Sequence, residues 1–470
     1  MDHFDIAIIG TGSGNTILDE RYADRRIAIC EQGVFGGTCI NVGCIPTKMF
    51  AYAADIAQFA RESPRFGVDA HVDGVRWNDI VSRVFSRIDP LVMSGEKYRR
   101  SSPNVEMFMS HTRFAPTMEN GRYKLRTDDG DEFTADQVVI AAGARATVPD
   151  AIARSGVQYH TSNTIMRIEK PPEHLVIVGG GFIATEFAHI FSELGSQVTL
   201  VIRGGTLLSQ CDDTVCERFT DIAGKNWNIR SHRNVVGGIQ DNSGITLHLD
   251  DGSRLHADTL MVSTGRIPNG DLLNAELAGV EVIDGLVRVD EYQRTTARGI
   301  YALGDVSSPY QLKHVANHEA RVVKHNLLAD WDDTDTLMRT NHRYVPSAVF
   351  TDPQIAMVGL TENEARAQGY NVKSKVQDYA DVAYGWALED TTGFAKIIVD
   401  DHTGLILGAH IMGHQASLLI QPLIQGMRFG LTAQEMARSQ YWIHPALSEL
   451  VENALLALCG EPPWPPAHRH

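Results

Sequence analysis

An α/β fold in three parts is what this sequence predicts: two doubly wound units with parallel sheets, followed by an α+β domain. Three observations carry that prediction. Asp5-Ile6-Ala7-Ile8-Ile9 and Leu175-Val176-Ile177-Val178 are short apolar runs that each enter a glycine-rich turn, as a buried parallel strand does when it feeds a phosphate-binding turn. From about Tyr344 onward the pattern becomes strands with helices to one side, which marks a separate α+β domain. The expected segments are 1–149, 150–268, 269–342 and 343–470, with the third returning to the first unit.

A chain of 470 residues has room for about three domains with large cores. Its formal charge of −16 argues against nucleic acid and anionic membranes as partners. No apolar run approaches the roughly 20 residues of a spanning helix. Met1-Asp2-His3-Phe4-Asp5 has neither the basic nor the apolar region of a secretion signal, so a cytoplasmic protein is expected. Six cysteines are too few for a secreted disulfide scaffold of this length, and in a reducing compartment a close pair is more often catalytic or metal-binding.

The first strand passes into Gly10-Thr11-Gly12-Ser13-Gly14-Asn15. Glycines there let the backbone approach a pyrophosphate, which then rests on the N-terminus of the following helix. The next strand, Arg26-Ile27-Ala28-Ile29-Cys30-Glu31, ends in an acid 19 residues after Gly12, where a ribose hydroxyl would be bound. Asn15 stands in place of a third glycine, and the helix between the two strands must be short.

Gly36-Gly37-Thr38-Cys39-Ile40-Asn41-Val42-Gly43-Cys44-Ile45-Pro46-Thr47-Lys48 follows. On a regular helix the two cysteines would have Cα atoms roughly 8.6 Å apart, whereas a disulfide needs less than about 7 Å. Gly43 loosens the backbone between them and Pro46 removes one intrahelical donor, so the first turn can tighten or unwind enough to bridge. Lys48 lies one turn beyond Cys44 on the same side, and a cation near a helix N-terminus favours a thiolate. A zinc site would need further Cys or His close by and none is there, so no metal is expected. Two buried structural cysteines could share this spacing. Cys211 and Cys216 repeat it without Gly or Pro, so it is the neighbours that give the first pair its weight.

Helical patterns continue to about residue 100, and Arg122-Tyr123-Lys124-Leu125-Arg126-Thr127 then reads as an antiparallel strand. Val138-Val139-Ile140-Ala141-Ala142-Gly143 is an apolar strand closed by glycine. The second unit carries Gly179-Gly180-Gly181-Phe182-Ile183-Ala184, with Glu186 on the ensuing helix and a strand from Gln197 to Ile202. Where an acid would accept from a free 2′-hydroxyl there is Ile202-Arg203, and an arginine can hold a 2′-phosphate. This favours NADPH over NADH, although a solvated arginine at a strand end would look the same.

Met261-Val262-Ser263-Thr264-Gly265-Arg266 closes the second unit. Gly299 to Asp305 is one more strand, whose final acid either binds a polyol hydroxyl or caps the next helix; spacing alone favours capping. In the last domain Ala395 to Val399 and Leu405 to Met412 read as strands. Pro445 suits a first helical position, which would put His444 at the N-cap and Glu449 inside the helix. A lone histidine there is more often structural than catalytic. Pro462-Pro463-Trp464-Pro465-Pro466 reads as an extended tail.

Two Rossmann-like dinucleotide sites imply two redox cofactors, and the dithiol is a third carrier of two electrons. Hydride does not pass directly from a nicotinamide to a disulfide sulfur, so a flavin is the natural relay. The residues therefore describe a pyridine-nucleotide-dependent flavoprotein that reduces a disulfide by thiol exchange. Cys39 to Lys48, the two glycine fingerprints, Gly304-Asp305 and His444-Pro-x-x-x-Glu449 resemble the flavoprotein disulfide reductase family, in family order and over nearly the whole chain.

The resemblance implies an FAD-binding domain, an NADPH-binding domain and a C-terminal dimerisation domain. It implies that Cys44 is the charge-transfer thiolate next to the flavin and Cys39 the interchange thiol that attacks substrate. Lys48 and Glu186 would pair beside the flavin, Phe182 would gate the nicotinamide, and Asp305 would bind the ribityl chain. Gly10, Gly12 and Glu31 would hold the ADP half, with Gly14, Gly37, Thr38, Gly143 and Gly304 also in the cofactor sites. Gly179, Gly181, Arg203, Gly265 and Arg266 complete the cofactor-binding set. Ser209 stands where NADPH-linked members tend to have a second arginine.

His444, oriented by Glu449, would be the acid and base of thiol exchange and would come from the other subunit of a homodimer. The substrate implied is a low-molecular-weight disulfide. The alternatives are an NAD-linked dihydrolipoamide dehydrogenase, which would want an acid near Ile202, and a glutathione-reductase-like enzyme. A redox-inactive flavoprotein scaffold is the non-enzymatic one, and retention of both cysteines, Lys48, Glu186 and the His444/Glu449 pair argues against it.

Overall fold

The computed structural model describes residues 1–116 and 121–460; the Pro-rich run at 462–466 lies outside the described residues. The first sheet holds β1 (Asp2–Ile9), β2 (Ile27–Cys30), β3 (Val105–Phe108), β4 (Thr112–Ala115), β5 (Tyr123–Thr127) and β6 (Glu132–Ile140). They lie in the order β3-β2-β1-β6-β5-β4, and Ile300–Ala302 adds to β6. Phe4, Ala7, Ala28, Val138 and Ile300 face one apolar cluster, while Ile6, Ile8, Ile27, Val139 and Tyr301 face another. Strands covered on both faces must be apolar without interruption, which is how they read in the sequence.

Register decides what this sheet presents. Ile9 lies opposite both Cys30 and Ile140, and Ile140 lies opposite Ala302, all in parallel. The residues that follow these strand ends, Gly10, Glu31, Gly143 and Gly304-Asp305, are therefore delivered to one edge, although they span nearly three hundred positions of sequence. The carboxyl edge of a parallel sheet is where such folds bind ligands.

One expectation fails here. No α-helix joins β1 to β2; 3₁₀ turns at Gly14–Thr16 and Glu20–Tyr22 take its place. One remote and one local side chain outcompete the helix. Arg99 donates to both the side-chain and the backbone oxygen of Asn15 at 2.7 Å, and Asp19 accepts from the Arg21 N–H.

The second unit is a four-stranded parallel sheet in the order Asn228–Arg230, Gln197–Val201, His174–Val178, Thr259–Val262. Val178 lies opposite Val201 and Val262, so Gly179, Ile202-Arg203 and Ser263-Thr264-Gly265 share its carboxyl edge. Between the two units run α1 (Gly37–Asn41), α2 (Cys44–Glu62) and α3 (Trp77–Ser101). Ala51, Ala54 and Ala57 of α2 are buried in the same cluster as Ala184 and Ala188 of the helix Phe182–Glu193. Small residues on both sides let these helices approach closely.

The last unit is an antiparallel five-stranded sheet in the order Ser347–Val349, Ile355–Gly359, Ile406–Met412, Phe394–Asp400, Val372–Asp378. The helix Ser448–Leu458 packs Leu450, Val451, Ala454 and Leu455 onto it. Among the described residues no helix is long and apolar enough to cross a membrane.

Candidate active site

Gly36 and Gly37 both have left-handed backbones, with φ of +99° and +73°. A Cβ on Gly37 would lie 2.6 Å from Gly12 Cα, so only glycine lets the dithiol segment seat on the first glycine turn. The helix that begins at Gly37 stops at Asn41 and restarts at Cys44, with Val42 and Gly43 out of helical conformation between them. Pro46 has no N–H to carry a continuous ladder across the gap. The sulfurs come within hydrogen-bonding reach because the helix is split in two, a stronger departure from regular helix than a tightened or unwound turn.

Both cysteines are present as thiols, and Cys39 S–H donates to the Cys44 sulfur. That donation is the largest cause holding Cys44 down to about 7; burial opposes it, while its own backbone N–H and Lys48 assist. Cys39 is pushed far up, first by the same hydrogen bond and then by burial. The pair thus carries one negative charge, and it rests on Cys44. With a pKa below the ordinary thiol value, Cys44 is a thiolate above about pH 7 and loses it by protonation below. The ultraviolet thiolate absorbance of the reduced protein is accordingly expected to rise through about pH 7, and Cys44→Ser to move that rise to higher pH; a wild-type midpoint near the ordinary thiol value would contradict the assignment.

Lys48 Nζ lies 2.6 Å from Glu186 Oε1, and the Phe350 N–H donates to the same oxygen at 2.9 Å. The Lys48 ammonium also sits 4.3 Å above the Phe350 ring. The Glu186 side chain is only 8% exposed, so Lys48 neutralises a carboxylate that would otherwise be costly to bury. Phe182, at the start of the same helix, is 45% exposed.

At the first sheet edge Gly10 has φ +104°, and a Cβ there would collide with Ala141 O at 2.3 Å. Glu31 Oε2 accepts from Thr11 N (3.0 Å) and Thr11 Oγ1 (2.5 Å), and Oε1 accepts from Gly33 N (2.9 Å). The carboxylate is thereby fixed at the end of β2 with lone pairs to spare. Asp305 does not cap the following helix, whose N-cap is Leu312. It lies in the turn Gly304–Val306, pushed up by burial and partly offset by Arg266, whose Nε is 3.8 Å from Oδ2. Arg266, which closes the second unit in sequence, thus reaches the first edge. Glu319, missed in the sequence, is 1% exposed and accepts from Gly304 N at 2.7 Å, fixing that turn from behind.

At the second edge Gly179 has φ +135°, and a Cβ there would meet Ser263 O at 2.3 Å. Gly181 is the N-cap of a twelve-residue helix and has nothing within 4 Å of a Cβ position. Arg203 and Ser209 are exposed. The cysteines of the second C-x4-C are far from thiolate chemistry: burial pushes Cys211 up to about 12, and the Cys216 S–H is tied to Leu208 O.

His444 is not an N-cap. The helix starts at Ser448, and Glu449 in its first turn folds back to accept from Ala446 N at 3.3 Å. Glu449 Oε1 lies 2.6 Å from His444 Nδ1. The His444 side chain is 64% exposed and makes no hydrogen bond or ion pair with either thiol of its own protomer. Tyr441 and Ile443 beside it are exposed apolar side chains, the surface expected where another molecule packs.

A family model described as pyridine nucleotide-disulphide oxidoreductase matches residues 4–320, and one described as the dimerisation domain of such proteins matches residues 345–455. The chain is 68% identical over 458 residues to the mycothione reductase of Mycobacterium tuberculosis, covering 97% of this chain and 100% of that protein. It is 30% identical to the glutathione reductase of a Nostoc species, over 95% of this chain and 98% of the relative. Among solved structures, the Cu(II) complex of the HOCl-induced flavoprotein disulfide reductase RclA from Escherichia coli superposes with a TM-score of 0.83 at 27% identity, covering 97% of this chain and 100% of that one.

Proposed function

This chain belongs to the pyridine nucleotide-disulphide oxidoreductase family, and we propose that it is an NADPH-dependent FAD enzyme that reduces mycothione, the disulfide of mycothiol, to mycothiol through Cys39 and Cys44. The observation that carries the substrate is the 68% identity to a mycothione reductase along that protein's whole length, against 30% to a glutathione reductase. The residues suit the cofactors. The glycine turn Gly10 to Gly14, the fixed carboxylate of Glu31 and the half-buried Asp305 fit the pyrophosphate, ribose and ribityl hydroxyls of FAD, and Arg203 fits a 2′-phosphate. Bound there, FAD supplies the two-electron relay between nicotinamide and dithiol.

The chain's own residues then do the following. Lys48, neutralised by Glu186, sets the electrostatics beside the flavin. Cys39 retains its proton while Cys44 holds the charge, so attack on the substrate needs a base. His444 of the partner subunit, aligned by its Glu449, takes that proton. The Cys39 thiolate attacks one sulfur of the substrate, forming a mixed disulfide and expelling the first thiolate, which His444 protonates. Cys44 then attacks Cys39 Sγ, expels the second thiolate and closes the Cys39–Cys44 disulfide.

We assign residues 1–149 and 269–342 to FAD binding, 150–268 to NADPH binding and 343–470 to the dimer interface, in a cytoplasmic homodimer. A substrate panel tests the proposal: mycothione with NADPH is expected to be turned over at least about a hundredfold more efficiently, by kcat/KM, than glutathione disulfide or lipoamide with either nucleotide. Faster reduction of glutathione disulfide would overturn the substrate, and faster turnover with NADH would overturn the nucleotide.

A further inference from the structure

Lys313 opens the helix Lys313–Asn326 beside the edge that carries Gly10, Glu31 and Asp305. It is half-buried, and its Nζ donates to Ser13 Oγ at 2.8 Å. Ser13 donates in turn to Asn317 Oδ1, one turn further along that helix, at 3.2 Å. Among the described residues Lys313 has no ion pair. Asp305 feels its charge through space but makes no direct contact with it, and a half-buried cation without a paired acid favours an anion at the glycine turn.

The turn has the complementary need. A dinucleotide pyrophosphate ordinarily rests on a helix N-terminus, whose aligned peptide dipoles amount to about half a positive charge. Here Gly10 to Gly14 leads only into the three-residue 3₁₀ turn Gly14–Thr16. Arg99, the other cation at this turn, is occupied by the two oxygens of Asn15. Lys313 is left, one hydroxyl away from the backbone that would hold the phosphates.

We propose that Lys313 is the electrostatic anchor of the FAD pyrophosphate, supplying the positive charge that the missing helix would have given. This rests on the reading of the glycine turn as the FAD site. It makes the helix Lys313–Asn326 part of the dinucleotide site from a point three hundred residues downstream of Ser13.

The test uses purified holoenzyme, diluted in low and in high potassium chloride, with released flavin followed by its fluorescence and identified by chromatography. Wild type is expected to release FAD, and to release more of it at high salt. Lys313→Met, which keeps the length of the side chain, is expected to raise the FAD dissociation constant by about ten- to a hundredfold and to flatten its salt dependence; Lys313→Arg should restore both. Wild-type affinity in Lys313→Met would overturn the proposal, and so would weaker binding with an unchanged salt response, which is the signature of lost packing. Release of FMN or riboflavin from wild type would instead overturn the reading of the site as one for FAD.

Discussion

Cys39→Ser is expected to abolish mycothione reduction, with kcat/KM falling by at least about ten-thousandfold, or ~5 kcal/mol of transition-state stabilisation. The alcohol cannot form the mixed disulfide, and the second C-x4-C offers no substitute, because burial raises the pKa of both Cys211 and Cys216. Cys44→Ser should be equally inactive for a different reason. It leaves Cys39 able to attack once, but nothing can resolve the mixed disulfide, so one thiol per site should be released in a single burst. Both variants should keep their bound flavin, because neither side chain is needed to seat Gly37 on Gly12. Mass spectrometry of the protein after exposure to mycothione separates the two cases: a stable adduct on Cys44→Ser and none on Cys39→Ser. An adduct on Cys39→Ser instead would reverse the roles assigned to the two sulfurs.

His444→Ala is expected to lower turnover by about a hundred- to a thousandfold, the range for losing a positioned acid and base. The more telling result comes from mixing. Co-refolded Cys39→Ser and His444→Ala chains should recover about a quarter of wild-type activity, since half the dimers are mixed and one of their two sites combines an intact Cys39 with an intact partner His444. The structure motivates this directly. The imidazole is exposed and aligned by Glu449, yet makes no bond to the thiols of its own protomer. No recovery in the mixture would mean that His444 serves its own subunit or has no part in the exchange.

Much of this was legible in the chain because local sterics leave few choices. A glycine such as Gly10 or Gly179 is demanded where a Cβ would strike the neighbouring strand's carbonyl, and uninterrupted apolar runs such as Ile6 to Ile9 belong only to a doubly covered strand. The readings that failed were those where a side chain from elsewhere competes with local preference. The helix after the first glycine turn is lost to Arg99. Asp305, favoured by spacing as a cap, is instead a half-buried acid facing Arg266. None of these competitors announces itself by spacing.

By itself, then, the sequence determined the covalent and conformational equipment: a dithiol with Gly43 and Pro46 to break the helix between its members, two glycine turns at strand ends, and a histidine with an acid five residues on. Those depend on bond geometry and on interactions within a few residues. The tertiary structure decided which of these pieces meet. Sheet register aligned Gly10, Glu31 and Asp305 on one edge, alanine packing brought Lys48 to Glu186, and the start of a remote helix put Lys313 on Ser13. Such contacts join positions hundreds of residues apart, and burial of apolar faces selects them over the whole chain at once, so no local stretch carries their signature.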